Sequence, residues 1–287
     1  MGELRDRMEQ DMRVRDFSVR TIEAYVAAVR GLAKYYRKAP DTLSDEEIHR
    51  YLIYVNEERK LSASSRQQIR CGLRFFYDVT ARRPHACLAV PVARQPQKLP
   101  EILSREEVGA IIEATRTVRE RLMLMVAYGG GLRVSEVVHL RWSDVDRQRG
   151  LIRIEQGKGK KDRYTVLPRC VVETLDRYRT VYPAQGERIF PPRRAPHGAL
   201  DVTVVQKIYY GAKRAAGVQK PGGIHALRHA FATHTLELGC DLPTLQRMLG
   251  HGDIKTTMRY LHVTTGTIAQ RVSPLDQLVL AQPVPRR

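Results

Sequence analysis

Three short segments carry residue types suited to work on a phosphate. Gly129-Gly130-Gly131-Leu132-Arg133-Val134-Ser135-Glu136-Val137 sets an arginine directly after a glycine turn at the start of a helix, where free backbone N–H groups and the helix dipole favour an anion. Arg133 is thereby placed to grip a phosphate oxygen. Glu136, one helical turn on, either orients that guanidinium or forms an ordinary exposed ion pair. His225-Ala226-Leu227-Arg228-His229 follows the pair Gly222-Gly223, and helical spacing turns His225 and Arg228 to one face while Leu227 faces the interior. Leu249-Gly250-His251-Gly252 puts a histidine at a helix end, and Tyr260 closes the run Thr257-Met258-Arg259-Tyr260. Among nine histidines and thirteen tyrosines, a single one is more often structural than chemical, so the weight lies in the set.

The elements that must position these residues can be read from periodicity and caps. The nearly continuous apolar run Leu122 to Tyr128 predicts a buried helix ended by Gly129, Gly130 and Gly131. Two β-like runs, Leu151 to Glu155 and Tyr164 to Leu167, flank the basic turn Gly157-Lys158-Gly159-Lys160-Lys161-Asp162, which predicts a hairpin. Ser104 and Glu107 form a capping box before Val108, Ile111 and Ile112. The first hundred residues read as helices only, with a short one near Leu4 to Met12. Ser18 caps a run with Val19, Ile22, Val26, Val29 and Leu32; Ser44 with Glu47 precedes Ile48, Tyr51, Leu52 and Val55; a further helix starting near Ser62 to Ser65 carries Ile69, Leu73 and Phe76 on one side. Pro91, Pro96 and Pro100 mark an extended linker. The expected division is a helical bundle over residues 1–90, a linker over 91–102, a second domain over 103–272 and a tail over 273–287.

Composition narrows the partner. The 287 residues hold 49 Lys and Arg against 31 Asp and Glu, a formal net charge of +18, which favours a polyanion because neutralised phosphates release their counterions. Up to Pro100 there are 19 basic and 13 acidic residues, and after it 30 and 18. An excess spread over both halves suits a clamp that touches nucleic acid with each, although solvation of the surface or RNA binding would use the same charge. Cys71, Cys87, Cys170 and Cys240 are scattered, without the spacing of a zinc knuckle or a disulfide framework. No stretch resembles a signal peptide or reaches the roughly 18 apolar residues of a spanning helix. A cytoplasmic protein with no membrane association, metal or cofactor is expected.

GLRVSE, the GKGKKDR hairpin, HALRHAFATH, LGH and the following tyrosine resemble, in this order and spacing, the motifs of the tyrosine recombinases, the phage-integrase family. The resemblance covers nearly the whole chain and is greatest, in size, to the Xer-type and simple integrase branches. It implies a mainly α fold: an N-terminal helical core-binding bundle, then a mixed α/β catalytic domain that is mostly helical with a small antiparallel sheet. It assigns Arg133 and Arg228 as the arginine pair, Lys158 as the hairpin lysine, His225 and His251 as the two histidines and Tyr260 as the nucleophile, with Glu136 and His229 in support. Arg20, Arg66, Arg70, Arg74, Lys160 and Lys161 are the expected DNA contacts, beside Arg13 and Arg15 on the same polar faces. Ala230 departs from a common Ser or Thr, and Gly129-Gly130 from small and hydroxyl residues. Val272-Ser273-Pro274-Leu275-Asp276 does not map onto Xer proteins, so a cell-division translocase partner is not carried over. The stretch from Lys158 to His225 leaves no room for the extra helix of integron integrases.

The resemblance further implies how the reaction runs. Attack on a phosphodiester builds charge on the non-bridging oxygens, and two planar, permanently charged arginines suit that charge better than lysines. The Tyr260 phenol, ordinarily of pKa about 10, needs neighbouring positive charge and a base such as His225. The product is a 3′-phosphotyrosine with a free 5′ hydroxyl, Lys158 protonates the leaving oxygen, and His251 donates to a non-bridging oxygen. Double-stranded DNA is the partner, with a homotetramer pairing two sites through a Holliday junction and an accessory directionality factor as a further candidate. Ile268, Val272, Leu275, Leu278 and Leu280 either dock on a neighbouring subunit or pack on their own. Two other readings are a type IB topoisomerase, with similar chemistry on one duplex, and a DNA-binding regulator that has lost the chemistry. The integrase-style motifs argue against the first and the intact set of residues against the second.

Overall fold

The computed structural model describes residues 2–83, 101–155, 162–184, 186–192, 198–258 and 260–261. The chain divides into two units, Met1–Lys98 and Leu99–Arg287. Pro91, Pro96 and Pro100 lie outside the described residues, as do Cys87, the basic hairpin turn from 156 to 161 and the apolar positions of the C-terminal tail. Ile102, at the end of the expected linker, packs against the core of the second unit, and Lys220 Nζ donates to its carbonyl at 2.8 Å.

The first unit is all helical over its described residues: α1 (Gly2–Arg13), α2 (Val19–Tyr36), α3 (Asp45–Glu57) and α4 (Ala63–Phe75), the last running into a π-helical turn at Phe76–Thr80. Ser18 and Ser62 cap α2 and α4, and Ser44 with Glu47 forms the capping box of α3, so three helix starts follow directly from side chains that satisfy otherwise orphan N–H groups. Met8, Met12, Leu32, Ile48, Tyr51, Leu73, Phe76 and Tyr77 make the core. Gly72 lets α4 approach α2 closely, because a Cβ there would stand 3.0 Å from Tyr25 Cα.

The second unit opens with α5 (Arg105–Glu113), capped by Ser104 and Glu107, then α6 (Val118–Gly129) and α7 (Val134–His139). Strands β1 (Val145–Asp146), β2 (Leu151–Ile154) and β3 (Arg163–Val166) form one antiparallel sheet in sequence order, with Ile152 opposite Thr165 and Ile154 opposite Arg163. Helices α8 (Arg169–Val181), α9 (Val202–Ala215), α10 (His225–Glu237), α11 (Leu242–Leu249) and α12 (Ile254–Met258) follow. Leu122, Leu124, Val137, Ile152, Phe190, Val205 and Leu227 lie in the main core, each contributing about 1.5–3 kcal/mol by leaving water. α10 is buried along most of its length and packs on α6 and α11. A smaller cluster joins Phe231 and Leu236 of this helix to Leu245, Leu249 and Tyr260.

Two local features fix the site. Gly131 has φ of +61°, and a Cβ there would stand 2.3 Å from the Phe231 ring, so both backbone and packing require glycine. On β3 the alternation is inverted: Arg163 and Thr165 are buried while Tyr164 and Val166 face solvent. The hydrophobic pattern places the strand start at Tyr164; the structure starts it one residue earlier, because its inward positions are polar. Thr165 is satisfied by the Gly130 carbonyl at 2.8 Å, which ties the sheet to the glycine turn.

Candidate active site

The site forms where α7, β3, α10 and the turns around α11 and α12 meet. Arg133 is the N-cap residue of α7. Its backbone N–H donates to Glu136 Oε2 at 2.7 Å and its Nη1 to Glu136 Oε1 at 2.8 Å, so the carboxylate on α7 both caps the helix start and fixes the guanidinium. The amide at Arg133, expected from the sequence to be open to an anion, is thus engaged by Glu136. That carboxylate, with only 8% of its side chain exposed, also takes both Nη atoms of Arg163 at 2.8 and 2.6 Å and lies 3.9 Å from Arg228 Nη1. Burial pushes the Glu136 carboxyl up, but the Arg163 and Arg133 hydrogen bonds and the Arg163 charge outweigh it and hold it below its ordinary value.

The same three arginines hold the end of α11. Arg163 Nε donates to Met248 O at 2.9 Å, Arg228 Nη2 to Leu249 O at 2.5 Å and Arg133 Nη2 to Gly250 O at 3.5 Å. Three successive carbonyls at a helix C-terminus are a natural cation seat, since they are the orphan acceptors of the last turn and the negative end of its dipole. Gly250 turns the chain out of the helix at φ of +62°, and a Cβ there would stand 2.6 Å from Arg163 Cδ. Arg228 is only 1% exposed and also donates to Gly131 O at 2.7 Å. Burial, then the neighbouring Arg133 charge, pulls its pKa down to about 9, which leaves it charged at neutral pH. With one carboxylate against three guanidiniums, this corner keeps a net positive charge.

Adjacent to Arg228, His229 turns toward the tyrosine: His229 Nδ1 and the Tyr260 hydroxyl are 2.7 Å apart. Tyr260 itself is 2% exposed. The His251 ring lies nearly parallel to the Tyr260 ring, 12° apart in plane and 6.5 Å between centroids. His225, the first residue of α10, stands edge-on to His229 with centroids 4.5 Å apart. The residue is exposed, yet local burial, then the Arg228 and Arg133 charges, lowers its pKa, which favours the neutral imidazole.

The structure therefore brings together Arg133, Glu136, His225, Arg228, His229, His251 and Tyr260. It differs from the sequence reading in one pairing: His229, not His225, meets the phenol. Lys158, Lys160 and Lys161 lie outside the described residues; the base of their hairpin is pinned by Arg153 to Asp162 at 3.0 Å. In the first unit, Arg13, Arg15, Arg20 and Arg74 are exposed, and Arg66 and Arg70 half-buried. Arg74 pairs with Asp78 at 3.2 Å, and Arg66 reaches the Asn56 carbonyl at 3.4 Å. Arg66, Arg70 and Arg74 follow one another at four-residue spacing along α4. Sequence reasoning missed Arg163; its signal was an arginine entering a strand between a basic turn and an apolar alternation. Among the described residues, no helix is long and apolar enough to cross a membrane.

Comparison with known proteins gives a consistent result. Residues 101–266 match the phage integrase family, and residues 4–86 match the N-terminal SAM-like domain of phage integrases. The chain is 39% identical over 286 residues to a putative integrase/recombinase, y4qK, of Sinorhizobium fredii, covering 99% of this chain and 92% of the relative. It is 35% identical over 249 residues to the tyrosine recombinase XerA of Thermococcus kodakarensis, covering 82% and 84%. Among solved structures, a lambda integrase tetramer bound to a Holliday junction is similar with a TM-score of 0.71 at 22% identity, covering 90% of this chain and 76% of that one.

Proposed function

Because the chain belongs to the phage integrase family of tyrosine recombinases, enzymes that break and rejoin DNA, we propose a chemistry for its site-specific recombination in which Tyr260 is the nucleophile. The Tyr260 oxygen attacks the scissile phosphorus while its proton passes to His229. The bond from phosphorus to the 5′ oxygen breaks, Lys158 supplies the proton to that oxygen, and a 3′-phosphotyrosine remains. Arg133 and Arg228 bind the non-bridging oxygens, where removal of one such donor costs about 10² to 10³ in rate, and His251 donates to the same group. His225, held toward its neutral form, lines the His229 side of the site. The phosphotyrosine keeps the energy of the broken bond, so the 5′ hydroxyl of another strand reverses the step without ATP.

One observation carries this reading: the Tyr260 hydroxyl lies 2.7 Å from His229, whose neighbour Arg228 is locked into the arginine cluster. The proposed base and phosphate-binding charge thus sit side by side on α10, with the nucleophile brought against the base from the turn after α12, the contact that an activated nucleophile requires. The substrate is double-stranded DNA, gripped through the arginines of α4, Arg20 and the hairpin lysines Lys160 and Lys161. The protein acts as a homotetramer on two sites through a Holliday junction, the species on which the lambda integrase tetramer was captured. An accessory factor sets direction.

Covalent capture tests this. The protein and its Tyr260→Phe variant are incubated with nicked, randomised duplexes, denatured, and the attached DNA sequenced. Attachment that requires Tyr260 and converges on one sequence is expected. Attachment without sequence preference would point to a topoisomerase, and binding without any attachment to a regulator that has lost the chemistry.

A further inference from the structure

The turn that carries Tyr260 also carries a buried threonine to which the chemistry above gives no part. Thr257 is fully buried, at 0% exposure. Its Oγ1 lies 2.9 Å from His251 Nδ1, and its carbonyl accepts the Tyr260 N–H at 3.0 Å. One residue thus touches the histidine through its side chain and the tyrosine through its backbone. A buried hydroxyl is kept in such a place when it has a hydrogen bond to make, and here the bond is made to an imidazole.

A neutral imidazole donates from one nitrogen and accepts at the other, so the bond at one sets what the other presents. Since Nδ1 of His251 is engaged by Thr257, a bond from His251 to a non-bridging oxygen has to come from Nε2. In the neutral ring this requires Nδ1 to be the acceptor and Thr257 the donor. We propose that Thr257 is a positioning residue that donates its hydroxyl proton to His251 Nδ1, locks the Nε2–H tautomer, and so lets an uncharged His251 present a donor to the scissile phosphate. The proposal rests on the site reading given above. Gln246 Nε2 steadies the same turn by donating to the His251 carbonyl at 3.0 Å, a bond to the backbone, whereas the Thr257 hydroxyl meets Nδ1 of the ring itself.

The imidazolium form gives the proposal a distinctive signature. It carries protons on both nitrogens and donates from Nε2 whatever Nδ1 meets, so loss of the Thr257 hydroxyl matters only while the ring is neutral. Thr257→Val keeps the shape and removes the hydroxyl; Thr257→Ser keeps the hydroxyl. Among the described residues, the charged and titrating groups on the elements around His251 are Tyr260 with His229 behind it, Asp253 and Lys255 on its own turn, Arg247 on α11, Arg228 from α10, Arg133 from α7 and Arg163 from β3. All are present in wild type and variant, so the ratio of their rates at each pH removes what they share.

Two measurements on the full chain decide it. The first is single-turnover adduct formation on a nicked duplex across pH. Thr257→Val is expected to be slower by about tenfold at alkaline pH, less than the roughly 10² to 10³ of a deleted donor, with the deficit closing as pH falls below an ordinary imidazole pKa of about 6.5. Thr257→Ser is expected to stay within about twofold of wild type, because its donor is intact. The second is the ¹⁵N NMR signature of His251, assigned by its loss in His251→Gln, which is expected to be that of the Nε2–H tautomer. An Nδ1–H tautomer in the wild type, or a Thr257→Val deficit equal at every pH, overturns the proposal. If the wild type forms no Tyr260-dependent adduct, the site reading fails, and the tautomer alone still decides the role of Thr257.

Discussion

The two halves of the site are built by different means. On the side proposed to bind phosphate, Glu136 gathers Arg133, Arg163 and Arg228 from α7, β3 and α10, and the same guanidiniums close on the carbonyls of Met248, Leu249 and Gly250. On the tyrosine side, His229 meets Tyr260 and Thr257 meets His251 through hydrogen bonds, beside the five-residue α12. The first arrangement is charged, buried and tied to the core. Its groups stand ready before any phosphate arrives, as electrostatic stabilisation of a transition state requires. The second seats the nucleophile proposed above in the small apolar cluster with Phe231, Leu245 and Leu249, with a histidine at its hydroxyl. Changes in the first half should therefore strike stability and chemistry together, and changes in the second should strike chemistry alone.

The largest effect is expected from Glu136→Gln. It removes the only carboxylate facing three guanidiniums among the described residues, and breaking a buried pair in this way costs about 3–5 kcal/mol. Urea denaturation of the variant should show that loss, and an unchanged midpoint would mean that the α11 carbonyls alone satisfy the arginines. The sign of the pH dependence is fixed by the lowered Glu136 pKa. A carboxyl that ionises more readily folded than unfolded contributes its full stability above its ordinary pKa of 4.5, and that contribution disappears as pH falls through the lower folded value. Wild type should thus lose stability on acidification below that point more steeply than Glu136→Gln.

His229→Gln is the counterpart on the other side. Loss of a general base costs about 10² to 10⁴ in rate, while the denaturation midpoint should hardly move. The deficit should narrow as pH approaches the ordinary phenol pKa of about 10, where Tyr260 ionises with less help. The same experiment on His225→Gln sharpens the assignment. If His225→Gln is crippled and His229→Gln is not, the base is His225 and the contact at 2.7 Å belongs only to the state without DNA.

How much of this was legible in the sequence follows the same divide. Arg133, Glu136 and Arg228 could be read because their local rules hold: a glycine turn before a helix, an i, i+3 partner, and a helix face shared with His225. The helix starts at Ser18, Ser44, Ser62 and Ser104 followed from capping residues and the hairpin from its flanking runs, while the mainly α fold with one small antiparallel sheet came from the family resemblance. What could not be read depends on chain crossings. His225 and His229 lie one turn apart on the same face, and only the return of the chain from α11 to Tyr260 decides which meets the phenol. Arg163 escaped because a strand with polar residues inward inverts the pattern by which strands are recognised. Thr257 has no local signature, since its partner is six residues back across a turn.

Arg163→Lys should give the smallest effect and asks whether charge or shape holds the phosphate side. A lysine keeps the positive charge opposite Glu136, but one ammonium cannot reproduce two parallel bonds to that carboxylate together with a third to Met248 O. The change should leave that carbonyl underbonded and cost about 1–3 kcal/mol. Because Arg163 also packs on Gly250, the loosened part is the turn that presents His251, whose N–H donates to Gln246 O at 3.2 Å. Faster hydrogen exchange at the His251 amide, with slower exchange unchanged in α6, is the expected local sign. If Arg163→Lys matches wild type in both stability and exchange, the positive charge alone suffices and the bidentate geometry is incidental. If exchange at His251 rises while adduct formation falls less than for His229→Gln, the buried arginines act on the tyrosine side through the end of α11, and the two halves are coupled at Gly250.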